Sequence, residues 1–272
     1  TLSLVMTTVS ELADEVIVPS KWCQEVFAKS GVQSTVVPLG YNDRVFKYIN
    51  REVPVENNKD FVFLHYNGYN PRKGFMEVVK AFVDEFGHDE PVKMIIKTTM
   101  SNPPIPFNRH EYPNIEVING IVSEEKLSEI IEKSNCFVYP SRGEGFGITP
   151  LEAMATGIPA IVPNAHGISE YFNKDYMLEV SVADKCPGLY NRFKGEDVGE
   201  MVICSIDDIK RQMRYAYNHQ SEMRDLGKKA SEYVKRWTYA ETAKNLKAVI
   251  DRWKDVDVSD RVSSDVLEVE RF

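Results

Sequence analysis

Apolar residues along this chain fall into two alternating patterns. Short, mostly apolar runs at 61–66, 92–97, 115–118, 136–139 and 160–162 have the length and the Val, Ile and Phe content of strands buried on both faces. Between them, apolar positions recur at helical spacing. Phe75, Val78, Val79, Phe82 and Phe86 mark a helix over 75–86, and Ser123 followed by Glu124 and Glu125 starts another that runs to 133. Nearer the start, 16–20 reads as a strand, 20–29 as a helix stopped at Gly31, and 34–39 as a second strand. That is a βαβ unit, whose strands pair in parallel. Strand and helix in alternation predict an α/β protein: a Rossmann-like parallel sheet with helices on both faces.

The remaining segments punctuate this pattern. Residues 2–13 read as a helix, and the polar, turn-rich 41–60 as a linker. The proline-rich 102–114 reads as a loop, and 184–200 as an insertion without an assignable role. A long helix starts at 206 and a last one covers 233–253. A charged tail of weak periodicity follows over 256–272.

The densest local signal runs from Cys136 to Val162. A buried strand ends at Pro140, and glycines at 143, 145 and 147 let the backbone approach a ligand closely, with Glu144 and Phe146 between them. A helix is then expected to open just after Ile148, with Thr149 as cap, Pro150 at the first position and Glu152 as the acid of a capping box. Gly157 ends it, and Pro159 forbids its return before the next strand. Unpaired amides at that helix start suit phosphate or sugar hydroxyls. Glu144 and Glu152 can both point at one ligand across the helix mouth. They also have plainer readings, as a solvated loop charge and a capping acid. The glycines lie midway along the chain, with no acid about twenty residues on, so this is not the dinucleotide fingerprint.

The stretch Glu144-Gly-Phe-Gly-Ile-Thr-Pro-Leu-Glu152-Ala-Met-Ala-Thr-Gly-Ile-Pro resembles the donor-site signature of retaining family 4 (group 1) glycosyltransferases of the GT-B fold. The resemblance implies that Glu144 lies by the donor sugar and that the backbone of Gly145, Phe146, Gly147 and Ile148 holds sugar and phosphate oxygens. Glu152 would hold the ribose hydroxyls. It places the nucleotide base at Gly120-Ile121-Val122, and matches Gly167 and Glu170 to a second family loop. Lys73-Gly74 is similar to the family's phosphate-gripping Lys-Gly. The family's arginine five residues earlier is Gly68 here, and Arg72 is the candidate substitute. Lys97, Thr98 and Thr99, at a strand's C-terminal end, are weaker candidates for donor contact.

The resemblance also implies an organisation: the end of an acceptor-side lobe over 1–45, a donor-binding lobe over 46–235, and a C-terminal helix with its tail over 236–272. The chain opens on Thr1 and is short for a two-lobed enzyme, so it resembles the second lobe with a remnant of the first.

Composition narrows the picture further. The 272 residues carry a net charge of −8, which gives nucleic acid no basic footprint, and no apolar run approaches a membrane span. Cys23, Cys136, Cys186 and Cys204 and the five histidines show no metal-ligand spacing, so reduced thiols and a cytoplasmic setting are expected. In line with the resemblance, neither metal nor cofactor is expected beyond a UDP-, GDP- or ADP-sugar donor. The reading is a retaining hexosyltransferase acting on a hydroxyl acceptor, in which Glu144 orients the donor sugar and Lys73 stabilises the leaving diphosphate. A non-catalytic nucleotide-sugar-binding module working with a partner chain is the alternative. A glycosidase-like carboxylate pair is disfavoured on the expectation that Glu152 is tied to the helix start.

Overall fold

The computed structural model describes residues 12–68, 70–87, 90–101, 111–188 and 199–254. The expected helix at 2–13 and loop at 102–114 lie largely outside them, as do the middle of the 184–200 insertion and the whole 256–272 tail.

A two-stranded parallel sheet opens the described chain: β1 (Ile17–Val18), α1 (Lys21–Lys29) and β2 (Thr35–Val36), with Ile17 opposite Thr35. This is the expected βαβ unit with shorter strands. Ser20 caps α1, its hydroxyl accepting from Cys23 N.

The main sheet is built from β3 (Phe61–Asn67), β4 (Val92–Thr98), β5 (Ile115–Ile118), β6 (Cys136–Val138), β7 (Ala160–Pro163) and β8 (Leu178–Val180). All are parallel, in the order β5-β4-β3-β6-β7-β8. Alternate residues of β3 serve opposite faces. Phe61 and Phe63 join one core with α2 (Phe75–Glu85) and α5 (Ile206–Asn218), while Leu64 and Tyr66 join another with α3 (Glu124–Glu132), α4 (Ile148–Ala155) and α6 (Gln220–Tyr233). Burial on both faces explains why these strands read as apolar runs rather than as alternations.

Strand order reverses between β3 and β6. At such a switch point the connections leave in opposite directions and open a crevice beyond the strands' C-terminal ends, where ligands of open α/β sheets bind. The loops reaching it are 68–74 after β3 and 139–147 after β6.

The structure corrects two expectations. The single long helix from 206 is two, because the chain turns at His219 between α5 and α6. The last helix, α7, covers only Tyr239–Ile250. The segment 41–60 is itself well packed: Tyr41, Phe46 and Val53 are buried, and the Arg51 guanidinium donates to Ile131 O, Ser134 O and Thr156 O. Part of the 184–200 insertion forms an antiparallel hairpin, β9 (Val182–Pro187) with β10 (Glu200–Cys204), which Val202 N ties to Arg142 O at 2.8 Å.

Candidate functional site

Glu144 is the centre of the crevice. Its carboxylate is buried, and Oε1 lies 2.7 Å from Lys73 Nζ, 3.0 Å from Arg72 Nη1, 2.8 Å from Tyr139 OH and 2.6 Å from Ser141 Oγ. Burial alone would raise its pKa, but Lys73 and Arg72 outweigh that and hold it below the ordinary carboxylate value. Lys73 shifts down, because burial outweighs its attraction to Glu144. The ion pair sits on a short helical turn, Pro71–Lys73, whose cap is Asn70 and whose end is Gly74 at φ 76. A Cβ there would lie 2.4 Å from Pro140 O, so only glycine lets the two loops meet.

Arg72 turns inward, as substitution for the missing arginine requires. Its guanidinium donates to Gly143 O as well as facing Glu144, and its own carbonyl accepts from Arg142 N at 2.7 Å. Gly68 has no left-handed φ, and a Cβ there would meet only Thr99 Oγ1 at 3.6 Å. Arg142, inside the glycine stretch, faces away and pairs with Glu77 on α2.

The helix start departs from the expected cap. Helix α4 begins at Ile148 with Gly147 as N-cap at φ 86 and no side-chain cap, so Thr149 and Pro150 already lie inside the first turn. A left-handed glycine turns the chain into the helix directly, leaving Thr149 no role as cap. Glu152 is therefore freed from the capping box. It accepts from Tyr66 OH at 2.7 Å, and burial raises its pKa to about 7, partly countered by that hydrogen bond. The argument against a carboxylate pair that rested on capping fails with it.

The other anticipated residues divide by side chain and backbone. Phe146 is buried edge-on against Tyr171, so only its main chain faces the crevice. Tyr171 OH donates to Gly147 O at 2.6 Å, and Gly145 O accepts from Ser20 Oγ at 2.7 Å. At the far end of the crevice Gly120 turns at φ 86, and Ile121 is 87% exposed, with Val122 partly buried. Lys97 is buried beneath this corner, and its ammonium donates to Thr98 O at 2.9 Å and to Gly120 O. Glu170 Oε2 accepts from Lys21 N at 2.7 Å and so anchors the start of α1. The residues missed from sequence are Tyr139, Ser141 and Tyr66. Each is an ordinary strand or turn residue until the sheet aligns it with a carboxylate.

Among the described residues, no cluster of three His, Cys, Asp or Glu side chains is placed to hold a metal, and no helix is long and apolar enough to cross a membrane.

The profile of the glycosyl transferases group 1 family matches residues 107–185. That span holds Glu144, the glycine turn, Glu152 and the 166–170 turn. Two viral proteins designated as glycosyltransferases are similar in sequence. ORF313 of Acidianus filamentous virus 1 is 28% identical over 229 residues, 81% of this chain and 67% of its own. Glycosyltransferase 41 of Sulfolobus islandicus filamentous virus is 32% identical over 157 residues, 58% of this chain and 42% of its own. In structure, Anabaena HepE, solved in complex with UDP and glucose, superposes with a TM-score of 0.68 at 13% identity, over 94% of this chain and 67% of that one. The chain thus spans between 42% and 67% of the length of these three proteins. Its α/β fold, a six-stranded parallel sheet between helices, is that of GT-B glycosyltransferase structures.

Proposed function

We propose that this chain carries the donor-binding part of a retaining glycosyltransferase, which moves a hexose from a nucleoside diphosphate sugar to a hydroxyl acceptor. The observation that carries the reading is the buried Glu144 held by Lys73, Arg72, Tyr139 and Ser141, eight residues before Glu152 and beside a helix start. The resolved complex of HepE with UDP-glucose, on the same fold, supports a sugar nucleotide as ligand.

In this reading the diphosphate lies between Lys73, Arg72 and the amides at the start of α4. The bond from the sugar's C1 to the diphosphate oxygen breaks, its electron pair leaving with the diphosphate. A bond from C1 to the acceptor oxygen forms on the same face, and the acceptor's proton passes to the departing phosphate. Negative charge grows on that phosphate as the bond breaks, so cations and amides already in position act most strongly at the transition state. Glu144 orients the sugar, Glu152 holds the ribose, and Ile121 with Val122 carries the base. No metal is assigned a part, and a cytoplasmic setting is part of the same reading.

The test is a pair of variants followed by calorimetry with UDP, GDP, ADP and their sugars, together with a transfer assay. Above pH 7, where the Glu152 carboxyl is mostly ionised, Glu152→Gln weakens nucleoside diphosphate binding by roughly 1.5–3 kcal/mol, the loss of a hydrogen bond to a charged group. Glu144→Ala leaves nucleotide binding largely intact and mainly reduces transfer. Equal losses for nucleotide and sugar nucleotide in both variants would refute the division of roles.

A further inference from the structure

The start of α1 and the 166–170 turn enclose a cavity of about 290 Å³, lined by Lys21, Trp22, Glu25, His166, Ser169 and Glu170. It adjoins the glycine turn of the proposed donor site. Gly167 N donates to Glu144 O at 2.9 Å, and a Cβ on Gly143 would lie 3.4 Å from His166 Nδ1. Ser20 Oγ and Cys23 Sγ both donate to Gly145 O, which fastens the α1 wall to that turn.

His166 is the unusual member. It holds φ 52, a left-handed conformation that suits glycine, and its ring is partly buried beside the Arg142 backbone. Its ring lies 4.7 Å from that of Trp22, tilted by 49°. Burial, and then the nearby Lys185 of the β9–β10 hairpin, lower its pKa and favour the neutral imidazole. The chain thus spends backbone strain to hold an imidazole against an indole beside Glu144, and core packing does not account for it, since both rings line an open cavity.

The chemistry of the lining selects a ligand class. An indole offers a flat apolar surface to the C–H face of a sugar ring, while carboxylates and a hydroxyl at its rim meet the ring's hydroxyl groups. Glu25 and Glu170 are offset by Lys21 and the nearby Lys185, so the surroundings are close to balanced in charge and suit a neutral ligand. The cations suited to phosphate, Lys73 and Arg72, do not line the cavity and are instead paired with Glu144.

We propose that this cavity is the acceptor subsite, taking a neutral sugar as the acceptor's terminal residue. The inference rests on the donor reading of the Glu144 site. The sugar lies against Trp22 and His166 and presents one hydroxyl toward the turn. There its oxygen bonds to C1 of the donor sugar as the bond from C1 to the diphosphate breaks, and the hydroxyl proton leaves with the diphosphate.

The experiment uses the whole chain. Saturation-transfer NMR measures binding of methyl glucopyranoside, mannopyranoside and galactopyranoside, and calorimetry measures UDP, GDP and ADP on the same samples. At least one methyl glycoside binds. Trp22→Ala and His166→Gly each weaken it tenfold or more, Trp22→Phe retains most of it, and all three variants keep the nucleotide affinity of the parent within about twofold. Because glycine suits φ 52, His166→Gly removes the ring without straining the fold. Nucleotide binding with no glycoside binding, or glycoside binding indifferent to both Trp22→Ala and His166→Gly, overturns the subsite and leaves the donor reading standing. Tighter, Trp22-dependent binding of dodecyl phosphate also overturns it, in favour of a lipid acceptor. Failure of every nucleoside diphosphate to bind the parent chain overturns the donor reading itself.

Discussion

Glu144 keeps its charge in a buried place because Lys73 and Arg72 press on one of its oxygens while Tyr139 and Ser141 donate to the same atom. Either cation has a second task if a diphosphate arrives, so each is expected to matter. Arg72→Ala should weaken nucleoside diphosphate binding nearly as much as Lys73→Ala, each about tenfold, or roughly 1.4 kcal/mol. Gly68→Arg is sterically admissible, since that backbone is not left-handed. Calorimetry decides: an indifferent Arg72→Ala beside a tighter Gly68→Arg would leave Lys73 as this loop's only side-chain grip on the phosphates. Glu152 yields a prediction in pH. Its pKa rises from an ordinary 4.5 to about 7 on folding, so the folded state binds the extra proton. Its contribution is fully present below pH 4.5 and is lost as pH rises through 7, a swing of roughly 3 kcal/mol at 1.36 kcal/mol per unit. His65 works the other way. Burial lowers it to about 4, with Nδ1 fixed on Val138 O, so its contribution is present above pH 6.5 and lost as pH falls through 4. Urea unfolding of Glu152→Gln and the parent at pH 5 and pH 8 isolates the first effect: the variant gains on the parent at the higher pH, and a pH-independent difference would rule out the shifted carboxyl. Spacing and the glycines made the two acids candidates in the sequence, and the family resemblance supplied their expected roles. Tyr66, Tyr139 and Ser141 were not legible, because what brings them to a carboxylate is alignment between β3 and β6, which no local pattern records.

At the scale of elements, the strands and most helices were readable because burial on both faces of the sheet leaves mostly apolar runs. The reading failed where glycine or exposure replaced the expected device. The start of α4 uses Gly147 at φ 86 instead of a Thr149 cap, so the turn into the helix depends on that glycine. The β9–β10 hairpin escaped notice because most of β9 is exposed, so it has no apolar alternation to show. A glycine comparison tests how the turn is held. Gly147→Ala strains a left-handed residue and places a Cβ 3.2 Å from Tyr171 OH, so it should cost about 1–3 kcal/mol. Gly167→Ala would set its Cβ 2.2 Å from Gly145 C and O, against backbone that cannot rotate away. It should destabilise more, and displace the turn enough to abolish nucleotide binding in the fraction that folds. Thermal melts and calorimetry give the order; a Gly167→Ala variant more stable than Gly147→Ala would mean that the 166–170 turn yields instead of the glycine turn.

Over the described chain as a whole, the segment 15–41 and the residues 237–253 around the last helix close on one another. Tyr41 N donates to Trp237 O and Tyr239 N to Tyr41 O, while Thr242 Oγ1 reaches Pro38 O and Trp253 Nε1 reaches Glu15. The polarity of 41–60 does not show this packing, since what docks the segment is Tyr41, Phe46 and Arg51, scattered among turn residues. The contact is close enough that Gly40 has no room for a side chain: a Cβ would lie 2.2 Å from both C and O of Thr238. Gly40→Ala therefore has to separate the two segments, breaking the Tyr41–Thr238 bridge while leaving β3 to β7 untouched. Hydrogen exchange should show amides of 239–250 losing protection toward that of a frayed helix, with the amides of β3, β4 and β6 unchanged. The same variant should keep its nucleoside diphosphate affinity, because Lys73, Glu144 and Glu152 belong to the sheet's own loops and helix. Uniform loss of protection across sheet and helix would instead mean that the two parts fold as one unit, with the strap over 38–41 as much a part of the core as the strands beneath it.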